Sequence, residues 1–484
     1  VRRLSLLGKF AFNLGPGRAL EWSGVFSERA QGVPGATGRP TREVRLETSS
    51  FLQRIELEAA RLPRPAPRLR GYAFRERRDH LFLDPRRELN LVGSPRRVEQ
   101  AELRRGGGLH ARWTAGDGRG LLGRHAPELL AEIGGESLRQ APPAGRPQED
   151  RRERASRLLS IGDAWDAWRG AARLEAHYRW EETEDNYTGA DPYRPFSTRA
   201  AHRSRMAGPR LGLRLARGGH SIKANYSRQG RFPTFAELFG YEGLVRGNAG
   251  LAPEEGRRAD LGWRWEHDGG PGGPAWRIEQ ALYRSDLEQM IVFVMVSNRE
   301  TKPFNLDRAS IRGYEVDLAL SRPPGLNALA RRLGRRDPPE VELTLHATLQ
   351  DARDEGVSPV YHGRQLTYHP PLQGLGGLAV GGRRWRLAYT ARFRAGSYWS
   401  RSNLPEFKSA AQWSHDLQFN RSLAGPGLSL ALRVENLTDA TLEDVRGYPL
   451  PGRTWFAEIG WRLSEPGGAG QTEAALRDPQ PEAP

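Results

Sequence analysis

Apolar and polar residues alternate one by one in segment after segment of this 484-residue chain. In Val341–Gln350, every odd-numbered position is apolar and every even-numbered position is Glu, Thr, His or Gln. Because successive side chains of a strand point to opposite faces of a sheet, this pattern predicts a strand with one apolar and one polar face. Four further segments show the same alternation, with Phe456 as an exception: Leu174–Trp180, Trp385–Arg394, Leu428–Glu435 and Thr454–Leu463. The sequence therefore predicts an all-β protein.

Short and long connections between these segments follow one another in turn. The short ones are Arg217–His220, Asp268–Gly273, Gly381-Gly382 and Leu423–Gly427. The long ones are Glu182–Arg205, Gly230–Gly256, Ser297–Asp307, Asp351–Gln365, Gly396–Ser409 and Leu437–Pro451. Outer-membrane barrels have short turns at one end and long loops at the other, whereas a soluble sandwich has no reason for this asymmetry. We therefore predict a large antiparallel transmembrane β-barrel of roughly nineteen strands, with the connection Arg322–Glu340 departing from the pattern.

Composition excludes several other classes of protein. Hydrophobic residues make up 37% of the chain, and no stretch approaches the roughly 20 apolar residues of a spanning helix. The net charge is +16, but the basic residues are dispersed among acidic ones and no nucleic-acid motif accompanies them. We therefore expect no nucleic-acid partner. The chain starts with Val1-Arg2-Arg3-Leu4 and shows no signal peptide, so we expect the start of the gene product to be missing.

Residues for catalysis or metal binding are sparse. The chain has no cysteine, its 11 histidines are scattered, and the G-x-S-x-G, H-E-x-x-H and P-loop motifs are absent. A Ser/His site assembled from distant strands is a disfavoured alternative. We expect no enzymatic activity, no cofactor and no metal site.

Three segments resemble, in order, the TonB-dependent outer-membrane receptors. Gly230–Phe239, followed by Gly247-Asn248, Leu251 and Pro253-Glu254, resembles a loop in the middle of their barrels. Asp286–Val316 resembles the next hairpin, and Arg433–Thr454 resembles the closing hairpin. The motif residues are expected to shape loops rather than to bind ligand: Pro233, Phe235, Glu237, Leu238, Gly247, Asn248, Pro253, Glu254, Asn305, Gly313, Glu315, Glu435, Asn436, Pro451, Gly452 and Arg453.

The resemblance implies that residues 1–463 are part of a barrel of about 22 strands, with the first strands and a plug domain absent from this chain. Residues 464–484 are rich in Pro, Gly and Ala and are expected to be a disordered tail.

The resemblance also implies a function. Such receptors take up a scarce ligand, such as a ferric siderophore, haem or cobalamin, across the outer membrane of Gram-negative bacteria, and the TonB–ExbB–ExbD complex energises them. Outer-membrane lipid and lipopolysaccharide are the implied surroundings. Candidate ligand contacts, chosen because they are loop aromatic or basic residues, are Tyr241, Arg246, Tyr398, Trp399 and Tyr448. The alternatives are a plugless passive pore and a non-functional fragment.

Overall fold

Strands make up nearly all of the computed structural model. It describes residues 2–33, 41–59, 67–88, 97–116, 122–140, 150–190, 197–239, 247–270, 273–297, 300–323, 339–423 and 427–461. No helix among these residues is long and apolar enough to cross a membrane.

The strands in the first part of the chain are β1 (Arg2–Gly15), β2 (Arg18–Gly32), β3 (Arg45–Ala59), β4 (Arg68–Leu83), β5 (Arg97–Arg112), β6 (Ala115–Gly116), β7 (Arg124–His125), β8 (Glu128–Gln140), β9 (Asp150–Ala167), β10 (Ala172–Ala190), β11 (Ser197–Arg217) and β12 (His220–Arg231). After the short helix α1 (Phe235–Phe239) come β13 (Glu254–Asp268), β14 (Ala275–Ser297), β15 (Glu300–Ser321), β16 (Glu340–Asp354), β17 (Leu372–Gly382), β18 (Trp385–Arg394), β19 (Gln412–Ser422), β20 (Leu428–Glu435), β21 (Glu443–Val445), β22 (Tyr448–Pro449) and β23 (Thr454–Trp461). Two 3-10 helices, Trp168–Gly170 and Pro405–Phe407, complete the regular structure of the described part.

A single 21-stranded antiparallel sheet contains every strand except β21 and β22, which pair with each other. Its long strands pair with their neighbours along the chain, from β1 with β2 to β20 with β23. Within the described residues, β1 and β23 are the edges and each pairs on one side. Because β6 and β7 have only two residues each, nineteen long strands form the wall. The predicted large antiparallel barrel of about nineteen strands is confirmed.

The two faces of the wall differ as the alternation predicts. On β16, Leu343, Leu345 and Leu349 are 41%, 44% and 48% exposed, which no soluble core would permit. We call the face with these apolar side chains the outer face and the polar face the inner face. An antiparallel wall that exposes apolar residues outward and polar residues inward is the arrangement of a transmembrane barrel.

The two ends of the wall also differ. At one end, which we call the turn end, the connections 16–17, 168–171, 218–219 and 383–384 are short. At the other, the loop end, the connections 33–44, 232–253, 355–371, 395–411 and 436–453 are long. Among the described residues, three buried apolar clusters lie at the loop end, centred on Val44 and Phe82, on Phe235 and Leu238, and on Leu306 and Leu366. Buried packing is therefore concentrated under the loops.

Two of the predicted loops are wrong. Most of Glu182–Arg205 and most of Ser297–Asp307 are strand, because β10 and β11, and likewise β14 and β15, continue their pairing towards the loop end. Beyond the apolar band, polar residues can occupy the outward face of paired strands. The loss of apolar alternation therefore does not mark the end of a strand. Most of Arg322–Glu340, part of Leu423–Gly427 and the proposed tail 464–484 lie outside the described residues.

Candidate ligand-binding loops

Helix α1 begins with a capping box in the loop between β12 and β13. The Thr234 hydroxyl accepts a hydrogen bond from the Glu237 backbone N–H at 3.2 Å, and Glu237 Oε2 accepts one from the Thr234 backbone N–H at 2.8 Å. Arg231 donates two more to the same carboxylate, at 2.8 and 2.9 Å. Glu237 is 6% exposed, so these donors compensate for burying its charge. The contacts support a structural role for Glu237.

Two asparagines fasten the rest of this loop to the β14–β15 hairpin. The Asn305 side chain accepts from the Ala252 backbone N–H at 2.8 Å and donates to the Ala252 carbonyl at 3.0 Å. It also donates to the Gln289 carbonyl at 2.6 Å. Asn248 donates to the Pro303 carbonyl at 3.0 Å. A side-chain amide has both a donor and an acceptor, so an Asn can hydrogen-bond to backbone N–H and C=O groups at the same time.

Glu254 holds the same hairpin from the start of β13. Its Oε1 accepts a hydrogen bond from the Ile291 backbone N–H at 2.9 Å, and its Oε2 forms an ion pair with Arg231. Arg231 therefore joins Glu237 and Glu254. These three residues link α1, β12, β13 and β14 into one unit.

Helix α1 packs against side chains of the preceding strands β8, β9 and β10. The Phe239 ring stacks on Tyr187 of β10, with ring centroids 5.2 Å apart. The Arg152 guanidinium lies over Phe239 at 4.5 Å, and that of Arg154 lies over Phe235 at 5.3 Å. The cluster around α1 also contains Leu138 at the end of β8, with Leu251 and Ile291. The loop thus contacts the loop end of the wall from β8–β10 to β14.

The loop before β23 is shaped by Asn436 and Asp439, both in the left-handed region with φ of 50° and 57°. The buried Asn436 side chain donates to the Ala440 carbonyl at 2.8 Å and accepts from the Ala440 N–H at 2.9 Å. Asp439 accepts from the Arg453 backbone N–H at 2.8 Å. A Cβ on Gly452 would lie 2.7 Å from Asp439 Oδ1, so a larger residue where the chain returns would displace the Asp439 carboxylate. Asn and Asp tolerate this backbone conformation and bond locally, which explains their presence.

Gly313 occupies a crowded position on the inner face of β15. A Cβ there would lie 2.5 Å from the Tyr283 ring and 2.6 Å from the Leu349 carbonyl oxygen. Glu315 lies two residues further along the same face, opposite Thr348. The remaining motif residues are buried (Pro233, Phe235, Leu238), half-buried (Gly247, Pro253, Glu435) or exposed (Pro451).

Aromatic and basic side chains meet in the loops 395–411 and 436–453. Trp399 packs edge-on against Phe407 with centroids 4.6 Å apart, and the Arg446 guanidinium lies over Trp399 at 4.4 Å. The Lys408 ammonium lies over Tyr398 at 5.5 Å. Neither Lys408 nor Arg446 forms an ion pair with a described residue, so both cations retain capacity for an anion.

A third loop contributes Tyr368 to the same place. Its backbone N–H donates to the Tyr398 carbonyl at 2.8 Å. Burial raises the pKa of Tyr368, although its hydroxyl oxygen accepts a hydrogen bond from the Arg446 backbone N–H. We call Tyr368, Tyr398, Trp399, Phe407, Lys408 and Arg446 the Trp399 cluster. Tyr448 pairs with Val445 in the small β21–β22 sheet, and burial raises the pKa of its hydroxyl too.

A neighbouring cation is already neutralised. Arg401 lies over the Tyr361 ring at 4.2 Å, but it also donates to Asp354 Oδ2 at 2.6 Å. Asp354 is 3% exposed and caps the Gly356 N–H at 3.0 Å. This arrangement stabilises the loop 355–371 and leaves no free charge for a ligand.

The predicted candidates are only partly brought together. Tyr398 and Trp399 lie in the Trp399 cluster, whereas Tyr448 lies in the adjoining loop. Tyr241 and Arg246 lie outside the described residues. Sequence analysis missed Tyr368, Phe407, Lys408 and Arg446. Arg446 lies within the closing-hairpin segment without being one of its motif residues, and the other three lie outside the three motif segments. In the part of the chain that the structure describes, no group of three or more acidic or histidine side chains could hold a metal ion.

Comparison with known proteins agrees with this architecture. A family model described as "TonB dependent receptor-like, beta-barrel" matches residues 80–437. The fold is similar to that of the copper transporter OprC, with a TM-score of 0.73, 13% identity, and coverage of 94% of this chain and 71% of that one. It is also similar to the siderophore receptor PiuA from Acinetobacter baumannii, with a TM-score of 0.71, 12% identity, and coverage of 95% and 74%.

A further solved structure, the ferric citrate transporter FecA in its unliganded form, gives a TM-score of 0.73 at 14% identity and covers 94% of this chain and 69% of that one. At these identities the solved structures establish the fold alone, whereas the family model spans most of the sequence. The chain belongs to the TonB-dependent receptor family and forms its β-barrel part.

Proposed function

We propose that this protein is an outer-membrane receptor for uptake of a scarce metal complex of the ferric siderophore, haem or cobalamin class, and that its loops favour an anionic complex. The observation that carries the proposal is the Trp399 cluster at the loop end of the barrel. It combines flat aromatic faces with two unpaired cations. Ligand sites commonly join apolar or aromatic walls to a few placed charges, and both parts are present here.

The similar proteins support a metal-containing cargo. The titles of two solved structures name a siderophore receptor and a ferric citrate transporter, and a third names a copper transporter. Those names describe the other proteins. For this chain they favour small metal complexes over sugars or peptides.

The charge distribution favours capture in the loops rather than in the lumen. Inner-face arginines are largely paired with carboxylates, as in Arg70–Glu56 and Arg154–Asp185, the latter at 2.6 Å. Their charge is locally compensated. The unpaired Lys408 and Arg446 therefore provide the positive potential that draws an anion to the mouth.

The remaining parts of the proposal follow from membership of the family. The protein lies in the outer membrane among lipid and lipopolysaccharide, and TonB–ExbB–ExbD supplies energy through a plug that is not among the described residues. Tyr241, Arg246 and Tyr448 remain predicted contacts. Residues 1–463 as barrel and 464–484 as a disordered tail remain predictions as well.

Binding can be tested with the full chain in a neutral detergent. The panel is ferric catecholate, ferric hydroxamate, ferric citrate, haem and cyanocobalamin, followed by tryptophan fluorescence. We expect one class to bind, and Trp399→Ala and Arg446→Gln each to weaken it at least about tenfold. Trp276→Ala, at the turn end, is the matched control and should bind normally. Failure of every compound to bind, or unchanged binding by both loop variants, would contradict the proposed site.

Conductance tests the alternative of a passive pore. A receptor that transports only when energised should give no sustained current in a planar bilayer. Large constant currents from the protein as isolated from outer membranes would support the plugless pore and overturn the proposed uptake.

A further inference from the structure

Three arginines face outward just beyond the apolar band, towards the loop end. Arg75 lies directly opposite Arg105 on β4 and β5, and Arg157 lies opposite Ile133 on β9 and β8. All three are exposed. On the same face of β5, β8 and β9, apolar residues lie level with Arg157 or nearer the turn end: Leu109 (53% exposed), Ile133 (71%), Leu159 (46%) and Ile161 (61%).

Gly135 leaves open space between these arginines. It lies in register with Arg105 on one side and Ala155 on the other. The Arg105 side chain extends across it, with Nε 3.9 Å from where a Cβ would be. Arg105 and Arg157 are two strands apart, about 10 Å. Gln53, opposite Arg75, adds a neutral side-chain donor to the same row. We call Gln53, Arg75, Arg105 and Arg157 the outer arginine patch.

This patch has no counter-charge within the described chain. None of its three arginines forms an ion pair with a described residue. Like charges directly opposite each other on neighbouring strands destabilise a sheet, as Arg75 and Arg105 would. Glu182 lies opposite Arg157, but its carboxylate oxygens form ion pairs with Arg203 and Arg205, the latter at 3.6 Å. An external anion is therefore needed to neutralise the patch.

The other side of the barrel shows the contrasting arrangement. At the corresponding height on β14–β16, the outward arginines are paired: Arg284 with Asp286 at 2.9 Å, Arg312 with Asp351 at 3.1 Å, and Arg353 with Asp351 at 2.5 Å. These three outward arginines have protein carboxylates as partners, whereas the three clustered arginines of the outer arginine patch have none among the described residues.

We propose that the outer arginine patch binds the phosphate groups of a phosphorylated membrane lipid, whose acyl chains lie on the apolar band below. The proposal rests on the proposed outer-membrane location and not on the cargo. A guanidinium offers a rigid fork of donors that matches phosphate oxygens. A lipid with its headgroup at the membrane boundary and its acyl chains along Leu109, Ile133 and Leu159 contacts both the charged and the apolar parts of this surface.

Lipid retention by the full chain tests the proposal. The protein in neutral detergent is mixed with a diphosphorylated lipid A or with the same lipid freed of its phosphates, and bound lipid is measured by native mass spectrometry. The test variant is Arg75→Gln/Arg105→Gln/Arg157→Gln. The control, Arg284→Gln/Arg312→Gln/Arg353→Gln, removes the same charge from the paired side.

The wild type and the control should retain the phosphorylated lipid, and the test variant should bind it roughly a hundredfold more weakly, from about a fivefold loss for each arginine. If the triple variant does not fold, Arg105→Gln alone should lose about fivefold. Equal retention of the dephosphorylated lipid, or equal loss in the control, would overturn the proposal. Because no cargo is present, this result is independent of the cargo panel.

Discussion

Glu237 shows how one buried carboxylate can organise a loop. Burial alone would raise its pKa, but the hydrogen bonds from Arg231 and Thr234 outweigh burial and hold the pKa below its ordinary value. A carboxyl whose pKa is lowered by folding contributes stability above its unfolded pKa of about 4.3. That contribution is lost as the pH falls through the lowered, folded-state pKa.

We therefore predict that, as the pH falls, α1 loses its hydrogen-exchange protection at a higher pH than the strands of the wall do. Hydrogen-exchange protection of the Leu238 and Asn248 amides, corrected for intrinsic rate, should be constant from pH 7 to pH 5 and fall below about pH 4. Glu237→Gln should show low protection throughout this range. Protection that stays constant down to pH 3 in the wild type would contradict the assigned role.

Asn305 is the second residue whose removal should free the loop. Asn305→Ala deletes hydrogen bonds to Ala252 and Gln289 and leaves half-buried backbone groups unpaired, which costs about 2 kcal/mol. Limited proteolysis should then cut residues 247–253 faster. Asn225→Ala, which removes an exposed hydrogen bond to Asp260, is the control and should leave the cleavage rate unchanged. Equal cleavage rates in the two variants would contradict the role of Asn305 in holding this loop to the β14–β15 hairpin.

Sequence analysis did better with structural residues than with binding residues. Glu237, Asn248, Asn305 and Asn436 stand in motifs, and each has hydrogen-bond partners of the kind that its residue type suggests. The partners of Trp399 could not be found this way. Arg446 reaches Trp399 from a different loop, and that proximity depends on how three loops fold together rather than on spacing within any of them.

At the scale of the strand, Gly313 marks where two strands crowd a third. Gly313→Ala places a methyl group against Tyr283 and the Leu349 carbonyl, and such overpacking costs about 2 kcal/mol. The folded fraction, measured by the shift between heated and unheated samples on a denaturing gel, should fall. Gly376→Ala on β17, where nothing lies within 4 Å of the added Cβ, should fold at least as well as the wild type. Equal loss in both would show that crowding is not the cause.

Strand positions in the wall were predictable, but their outer ends were not. The alternation locates β16, β18 and β20 because one face meets lipid and the other does not. Beyond the apolar band both faces of a ribbon are wet, so β10, β11 and β15 continue with mostly polar residues, whereas β14 continues with the unbroken apolar run Met290–Val296. Only the pairing partner, which sequence spacing does not reveal, shows that they are strands there.

At the scale of the whole molecule, the assignment of an outer and an inner face can be tested by two substitutions in one strand. Leu345→Arg puts a charge on the outer face near the middle of β16, which costs roughly 2–4 kcal/mol near the bilayer centre. His346→Arg, on the inner face next to Asp317, should be tolerated. Folding into lipid vesicles should fail or slow markedly for the first and proceed for the second. If both fold alike, the assignment of faces is wrong.

The loop that contains α1 reaches from the end of β8 to β14, and so joins strands that are not direct neighbours in the sheet. Leu138 of β8, Leu238 of α1 and Ile291 of β14 share one buried cluster, so this segment of the rim is held as a unit. The loops 355–371, 395–411 and 436–453 come later in the chain and are joined to one another, as by the hydrogen bond from the Tyr368 N–H to the Tyr398 carbonyl. Trp399, Lys408 and Arg446 lie in these later loops. A displacement of their side chains on ligand binding would therefore leave the contacts between α1 and the strands β8–β14 intact.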